Sequence, residues 1–381
     1  MPENAGTFGR GIDLTHIAVI GRGMIGSAAA RHLANAGHQV TLVGPSEPAD
    51  KASHTGVFGS HYDEGRITRV LDQTMFWSDI TRASIARYAE IEAQSDIAFF
   101  TESGAMMLGP EGSAFIQDVS HVQKTGDIVC DHYTGTALEQ AFPFFRFEKG
   151  AQAFYEPTAA GYINPRELVR AQSVAAQSAG AVWVDATALA IAEDKRGAVI
   201  TTDKGEVAAD QVLVAAGGFT NMVLPQPLPV QSYARTITFF EVNPEEVARL
   251  SDMPSLVMCF ADGRDPYLLP PIRYPNGKTY LKLGYELADV PLENVAELKA
   301  WFKGTGTAKV GEHQKAIMKE LMPDLRIEAT HTEACMTTYT ADNMPLIARQ
   351  SDSVAVAFAG CGRGAKCSDE LGRMGAALVG L

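Results

Sequence analysis

Residues 16–26 read HIAVIGRGMIG. A short apolar run meets three glycines, Gly21, Gly23 and Gly26, spaced G-x-G-x-x-G, and an Ala-rich stretch runs on to Ala36 before Gly37. His16–Ile20 has the pattern of a buried strand, and Met24–Ala36 that of a helix stopped by Gly37. Gln39–Val43 (QVTLV) is a second strand, so the segment reads strand, turn, helix, strand, the unit of a parallel sheet with a right-handed crossover. Gly21 allows the tight turn, Gly23 lets backbone approach a pyrophosphate, and Gly26 lets the helix pack close to the strand. The first helical N–H groups, at Met24 and Ile25, then face the phosphates with the partial positive charge of a helix start.

One usual partner is missing. The end of the second strand commonly carries a carboxylate that grips the ribose hydroxyls, and here that position is Gly44, in LVGPSEP. Ser46, Glu47 or water is left to hold the ribose. The missing acid also suits a 2′-phosphate, so the loop alone leaves FAD and NADP both open.

The rest of the chain sets the frame. Its 381 residues suffice for two packed domains, and 46% hydrophobic with 20% charged residues is ordinary for a globular enzyme. A net charge of −13 argues against nucleic acid or an anionic membrane as partner. Five cysteines without a C-x-x-C pair fit reduced thiols in the cytoplasm; no metal is called for. No secretory leader and no membrane span is expected. Residues 1–15 read as an arm. Leu168–Ser178 reads as a helix, Ala181–Ala186 as a strand, and AVITTDKGEVAAD as a hairpin turning near Lys204-Gly205. QVLVAAGG (211–218) and VAVAFAG (354–360) are further buried strands, and a last helix closes the chain. The expected fold is therefore α/β. A discontinuous Rossmann-like domain covers residues 15–90, 150–225 and 330–381. A second, α+β domain with an antiparallel sheet covers 91–149 and 226–329 and takes the substrate.

Four further stretches carry a resemblance. GSHYDEGRITR (59–69), YLKLGYE (280–286), ACMTTYTADNMPLIA (334–348) and GRGAK (362–366) follow the glycine loop in order. Together they resemble the monomeric sarcosine oxidase family of FAD-dependent amine oxidases, within the wider D-amino acid oxidase and glycine oxidase superfamily. The resemblance implies FAD, bonded through Cys335 to its C8 methyl; a lone cysteine is otherwise a small packing residue. It places Lys282 over the flavin ring, as a cation that stabilises charge on reacting dioxygen, and Arg66 and His61 beside the ring. Arg69, with a planar fork suited to two carboxylate oxygens, and Lys366 would hold a substrate carboxylate. Arg66 and Arg69 lie three apart and share a face if their segment is helical. Tyr267 would line the substrate pocket. Ser60, Ala216 and Gly217, Leu189 on the adenine side, and Gly362, Arg363 and Gly364 complete the cofactor contacts.

Glu286 departs from the family pattern, which has a histidine there. A carboxylate at that place suits a cationic group on the substrate and puts sarcosine itself in doubt. Arg363 and Ala365 likewise replace a histidine and a phenylalanine. The implied reaction is oxidation of a carboxylate-bearing amine to an imine, with dioxygen reduced to hydrogen peroxide. The alternatives are a flavin dehydrogenase with another electron acceptor, an NADP-dependent reductase, and a dinucleotide sensor.

Overall fold

The structure, a computed structural model, describes residues 15–381. The arm expected over residues 1–15 lies outside the described residues, apart from Thr15.

His16–Ile20 is the centre of a six-stranded sheet. Gln39–Val43 pairs parallel on one side and Gln211–Val214 on the other. Val182–Val184 extends one edge, and Val354–Phe358 followed by antiparallel Leu346–Arg349 extends the other. Ile17–Ile20 and Val354–Phe358 are buried throughout, as parallel strands covered on both faces must be. Helices Met24–Asn35, Pro165–Ser178 and Gly364–Ala377 pack together on one face. The last approaches the first so closely that a Cβ on Gly372 would lie 2.6 Å from the Ala28 methyl. Buried Asp369 ties them by accepting from Arg31 (2.9 Å), Gln172 (2.9 Å) and Arg87. Asn164 caps the middle helix, with Pro165 at its first position.

On the other face lies a three-stranded meander, Ala188–Asp194, Gly197–Thr202 and Gly205–Ala209. Its second and third strands are the expected hairpin, with Asp203 and Lys204 at the turn.

The second layer is a nine-stranded sheet around the long strand Val230–Val242, which pairs with Val290–Leu292, Thr279–Gly284 and Ala329–Thr340. It continues through Tyr267–Arg273, Ser255–Met258, Ala105–Pro110, Ala151–Glu156 and Asp131–Thr134. Every pair is antiparallel except Ser255–Met258 with Ala105–Pro110. Met106, Phe240, Leu256, Leu281 and Leu283 form its core. Ala151–Glu156 and Ala329–Thr340 find their partners in this second sheet rather than in the parallel one. The fold class is as expected: a Rossmann-like parallel-sheet domain and a largely antiparallel second domain.

The condition set on residues 66–69 is not met. Arg66–Thr68 is a three-residue strand paired with Gly161–Ile163, not a helix, so Arg66 and Arg69 do not share a helical face. No helix among the described residues is long and apolar enough to cross a membrane.

Candidate active site

A cavity of about 990 Å³ runs between the two layers. At one end is the glycine loop. Gly21 adopts φ +109°, and a Cβ there would meet the Ala215 carbonyl oxygen at 2.4 Å. A Cβ on Gly26 would come within 1.9 Å of the Gly21 carbonyl oxygen, so helix and strand touch through bare backbone. Gly23, Met24 and Ile25 face the cavity, and Gly23, the residue before the helix, provides no side-chain cap. Those N–H groups need an acceptor. The helix Gly364–Ala377 also starts at the cavity, at Gly364, Ala365 and Lys366, again without a side-chain cap. Ala216 and Gly217, after the strand Gln211–Val214, line the space between.

The missing ribose carboxylate has a steric cause. A Cβ on Gly44 would lie 2.5 Å from the Arg22 backbone nitrogen, so no side chain fits there. Ser46 and Glu47 are engaged elsewhere: the Ser46 N–H donates to Asp185 (2.9 Å), and both Glu47 oxygens accept from Arg166 at 2.8 Å. The Arg22 guanidinium instead stacks 3.7 Å above the Trp183 ring, whose N–H donates to the Gly44 carbonyl (2.8 Å). Neither residue stood out in the sequence, although Arg22 lies inside the glycine motif. Leu189 is also corrected. It is 47% exposed, at a break in the pairing register between Ala188 and Ala190, while Thr187 and Ala188 line the cavity.

The segment Gly59–Arg69 forms the wall between the layers. Ser60 and His61 line the cavity, with the His61 ring against Gly23. Burial, together with Arg22, Arg166 and Arg66, pushes the His61 imidazolium down to about 3, so the ring is neutral at physiological pH. Arg66 donates to the Ser60 carbonyl (2.9 Å), pairs with Asp63, and lies 3.8 Å from the Cys335 sulfur. Cys335, on Ala329–Thr340, faces the cavity, and its carbonyl accepts from the Trp301 ring N–H (2.6 Å).

Lys282 is 1% exposed and does not reach the cavity wall. Its ammonium is bonded to the Asp63 carboxylate and to the Gly65 carbonyl (2.8 Å), one layer behind Arg66. Asp63 thus holds the ammonium inside the protein, behind the wall that Arg66 lines. Tyr267, on the adjacent strand, lines the cavity, and burial raises its hydroxyl well above the ordinary range, so it stays protonated.

At the far end, Asp72 gathers three cations. Its carboxylate, 1% exposed, accepts from Lys366 (2.8 Å) and Arg363 (3.1 Å), with Arg69 at 3.8 Å. Burial opposes its charge, but Lys366, Arg69 and Arg363 together hold it well below the usual carboxylate range. Burial pulls the Lys366 ammonium down, with Asp72 opposing. Arg69, Arg363 and Lys366 all border the cavity, as does Gly362. Asp72 offered only its nearness to Arg69 as a sequence signal. Opposite stands half-buried Glu286, which accepts from the Thr236 N–H and forms no ion pair among the described residues. Burial pushes its carboxyl up to about 7.

A cleft that opens two uncapped helix starts onto one elongated cavity is the architecture of a dinucleotide-dependent enzyme. The open backbone at Gly23, the cavity volume and the cysteine on its wall fit FAD. The family model described as FAD dependent oxidoreductase matches residues 16–378, and the chain belongs to that family. It is 24% identical over 376 residues to monomeric sarcosine oxidase of Bacillus sp. (strain B-0618), covering 94% of this chain and 90% of that one. It is also 24% identical over 364 residues to N-methyl-L-tryptophan oxidase of Yersinia pestis (strain Pestoides F), covering 94% and 93%. Among solved structures, L-proline dehydrogenase from P. horikoshii superposes with a TM-score of 0.76 at 17% identity, covering 96% of this chain and 92% of that one. The resemblance read from the sequence holds at the level of the family: this is an FAD-dependent oxidoreductase, similar along nearly its whole length to those two oxidases. The family match decides between the two dinucleotides left open by Gly44.

Proposed function

We propose that the enzyme oxidises a small amine bearing a carboxylate, an N-methyl, cyclic or other amino acid, with dioxygen as electron acceptor. The observation that carries this reading is the cluster around Asp72. Arg69, Arg363 and Lys366 surround a single carboxylate at the cavity border, so the end of the cavity keeps positive charge for an anionic group. The names of the two curated relatives, both oxidases of N-methyl amino acids, support the same class.

Bound FAD supplies a two-electron acceptor. The chain's own groups do the rest. Gly23 and the amides of Met24 and Ile25 hold phosphate oxygens. Arg69, with Lys366 and Arg363, orients the substrate through its carboxylate. The protonated Tyr267 hydroxyl, without a protein partner among the described residues, donates to the substrate. The cavity walls exclude water and favour the neutral amine, the form with a lone pair to give. The amine loses two electrons and two protons to become an imine, water hydrolyses the imine, and dioxygen takes the electrons and protons as hydrogen peroxide. Cys335 is the residue for covalent attachment, and five unpaired cysteines fit a cytoplasmic setting.

The position of Lys282 favours one second reading. An ammonium neutralised by Asp63 offers less charge to reduced oxygen, which suits a dehydrogenase with another acceptor. One experiment addresses each point. Acid precipitation should leave yellow colour in the pellet. Anaerobic mixing with sarcosine, other N-methyl amino acids and proline should bleach the flavin with at least one of them. Air should then restore the colour with one peroxide per substrate. Bleaching without peroxide means the dehydrogenase; no bleaching by any carboxylate-bearing amine overturns the substrate class.

A further inference from the structure

Asp63 has a place the reaction scheme does not use. It is 9% exposed and bonds two cations at once, the Lys282 ammonium and the Arg66 guanidinium. Its other oxygen accepts from the Tyr274 hydroxyl (2.7 Å) and the Glu64 N–H (2.8 Å). The neighbouring Glu64 is held by Asn164 and Arg166 and does not reach Lys282. We propose that Asp63 is the positioning residue that keeps Lys282 charged and Arg66 fixed at the cavity wall.

The surroundings of Lys282 leave this task to Asp63 alone. From the same loop come Asp63, the Gly65 carbonyl and Arg66. The strand Tyr267–Arg273 contributes Tyr267 on the same face, and Tyr274 follows it. Burial raises both phenols well above their ordinary range, so neither is an anion near neutral pH. The strand Val230–Val242 sets Phe239 directly opposite Lys282. Beyond it, Ala329–Thr340 carries Cys335, which lies within electrostatic reach. Burial and Arg66 both disfavour the charged form of Lys282, and the bonded Asp63 carboxylate opposes them. The Asp63 carboxylate is the one acidic group bonded to it among the described residues, and a buried cation without such a partner gives up its proton. The charge of one cation and the placing of another therefore rest on one side chain, 219 residues from Lys282 in sequence.

The test uses the holoenzyme and rests on the proposed flavin site only for its reporter. Wild type, Asp63→Asn, Asp63→Glu and the double variant Asp63→Asn with Lys282→Met are titrated between about pH 6 and 10 by the visible spectrum of the bound flavin. Asp63→Asn should show a spectral transition that wild type lacks. Asp63→Glu should abolish it, and so should adding Lys282→Met. A transition already present in wild type, one that survives Lys282→Met, or none in Asp63→Asn overturns the proposal. Thermal melting reads the same titration without flavin. An unpaired buried lysine binds its proton less well folded than unfolded, so stability rises with pH, and the melting gap between Asp63→Asn and wild type should narrow toward pH 10. A gap that stays constant also counts against the proposal. If Asp63→Asn fails to fold, the double variant, which removes one charge of each sign, must fold; its failure overturns the assignment. Protein purified without flavin defeats the functional reading and leaves the melting arm decisive.

Discussion

Replacing Asp72 by Asn removes one negative charge from a site where three cations converge. The side chain is 1% exposed, and Lys366 is 2% exposed, so water and salt screen that pair only weakly. Asn keeps the shape and one acceptor oxygen, so no cavity opens and the loss is electrostatic. Removing one partner of a buried pair costs about 3–5 kcal/mol, and the retained acceptor argues for ~3 kcal/mol here. With 381 residues and ~2.1 cal/mol/K of unfolding entropy per residue, that is a drop of ~4 °C in melting temperature. The pH dependence has a definite sign. The folded carboxyl is held below its unfolded value by Lys366, Arg69 and Arg363, so its stabilisation is present above about pH 4 and fades as acid protonates it. The gap between wild type and Asp72→Asn should therefore close below about pH 4. The assay is thermal unfolding across pH. The variant should also gain more from an added carboxylate ligand than wild type does, because an outside anion then replaces the lost one. A melting shift under about 1 °C at pH 7 would show that the three cations do not depend on this carboxylate.

Two further outcomes follow from individual distances and charges. Gly26→Ala places a methyl 1.9 Å from the Gly21 carbonyl oxygen and 3.3 Å from the Ala215 methyl. Overpacking of this kind costs about 1–3 kcal/mol or more, and the distorted loop should lose flavin, read as the ratio of visible to ultraviolet absorbance; full flavin content would refute the close packing. Glu286 passes from neutral to charged near pH 7, so a substrate carrying a second amine should bind more tightly as pH rises from 6 to 8. Glu286→Gln should flatten that trend, with a loss of about tenfold in kcat/KM at pH 8, or ~1.4 kcal/mol. An unchanged pH trend in the variant would remove Glu286 from substrate recognition.

The sequence by itself determined the elements whose cause is local. HIAVIGRGMIG forces a strand, a turn with a glycine at positive φ, and a helix, because only bare backbone permits those contacts; the Lys204-Gly205 turn and the closing helix are legible for similar reasons. It determined less wherever a short segment lacked periodicity. Three residues, Arg66–Thr68, are too few to show alternation, and Leu189 could be turned outward only once its strand register was known. The chemistry of the site was decided by tertiary structure. Asp63 meets Lys282 and Asp72 meets Lys366 across 219 and 294 residues, and Arg22 finds Trp183 only because the parallel sheet brings the loop after His16–Ile20 near the edge strand Val182–Val184, with Gln39–Val43 between them. Local backbone preference acts over a few residues, whereas the charge a buried group carries depends on which distant partner folding delivers to it. The sequence therefore supplied the kinds of residue present, and packing alone settled which of them stayed charged, and toward what.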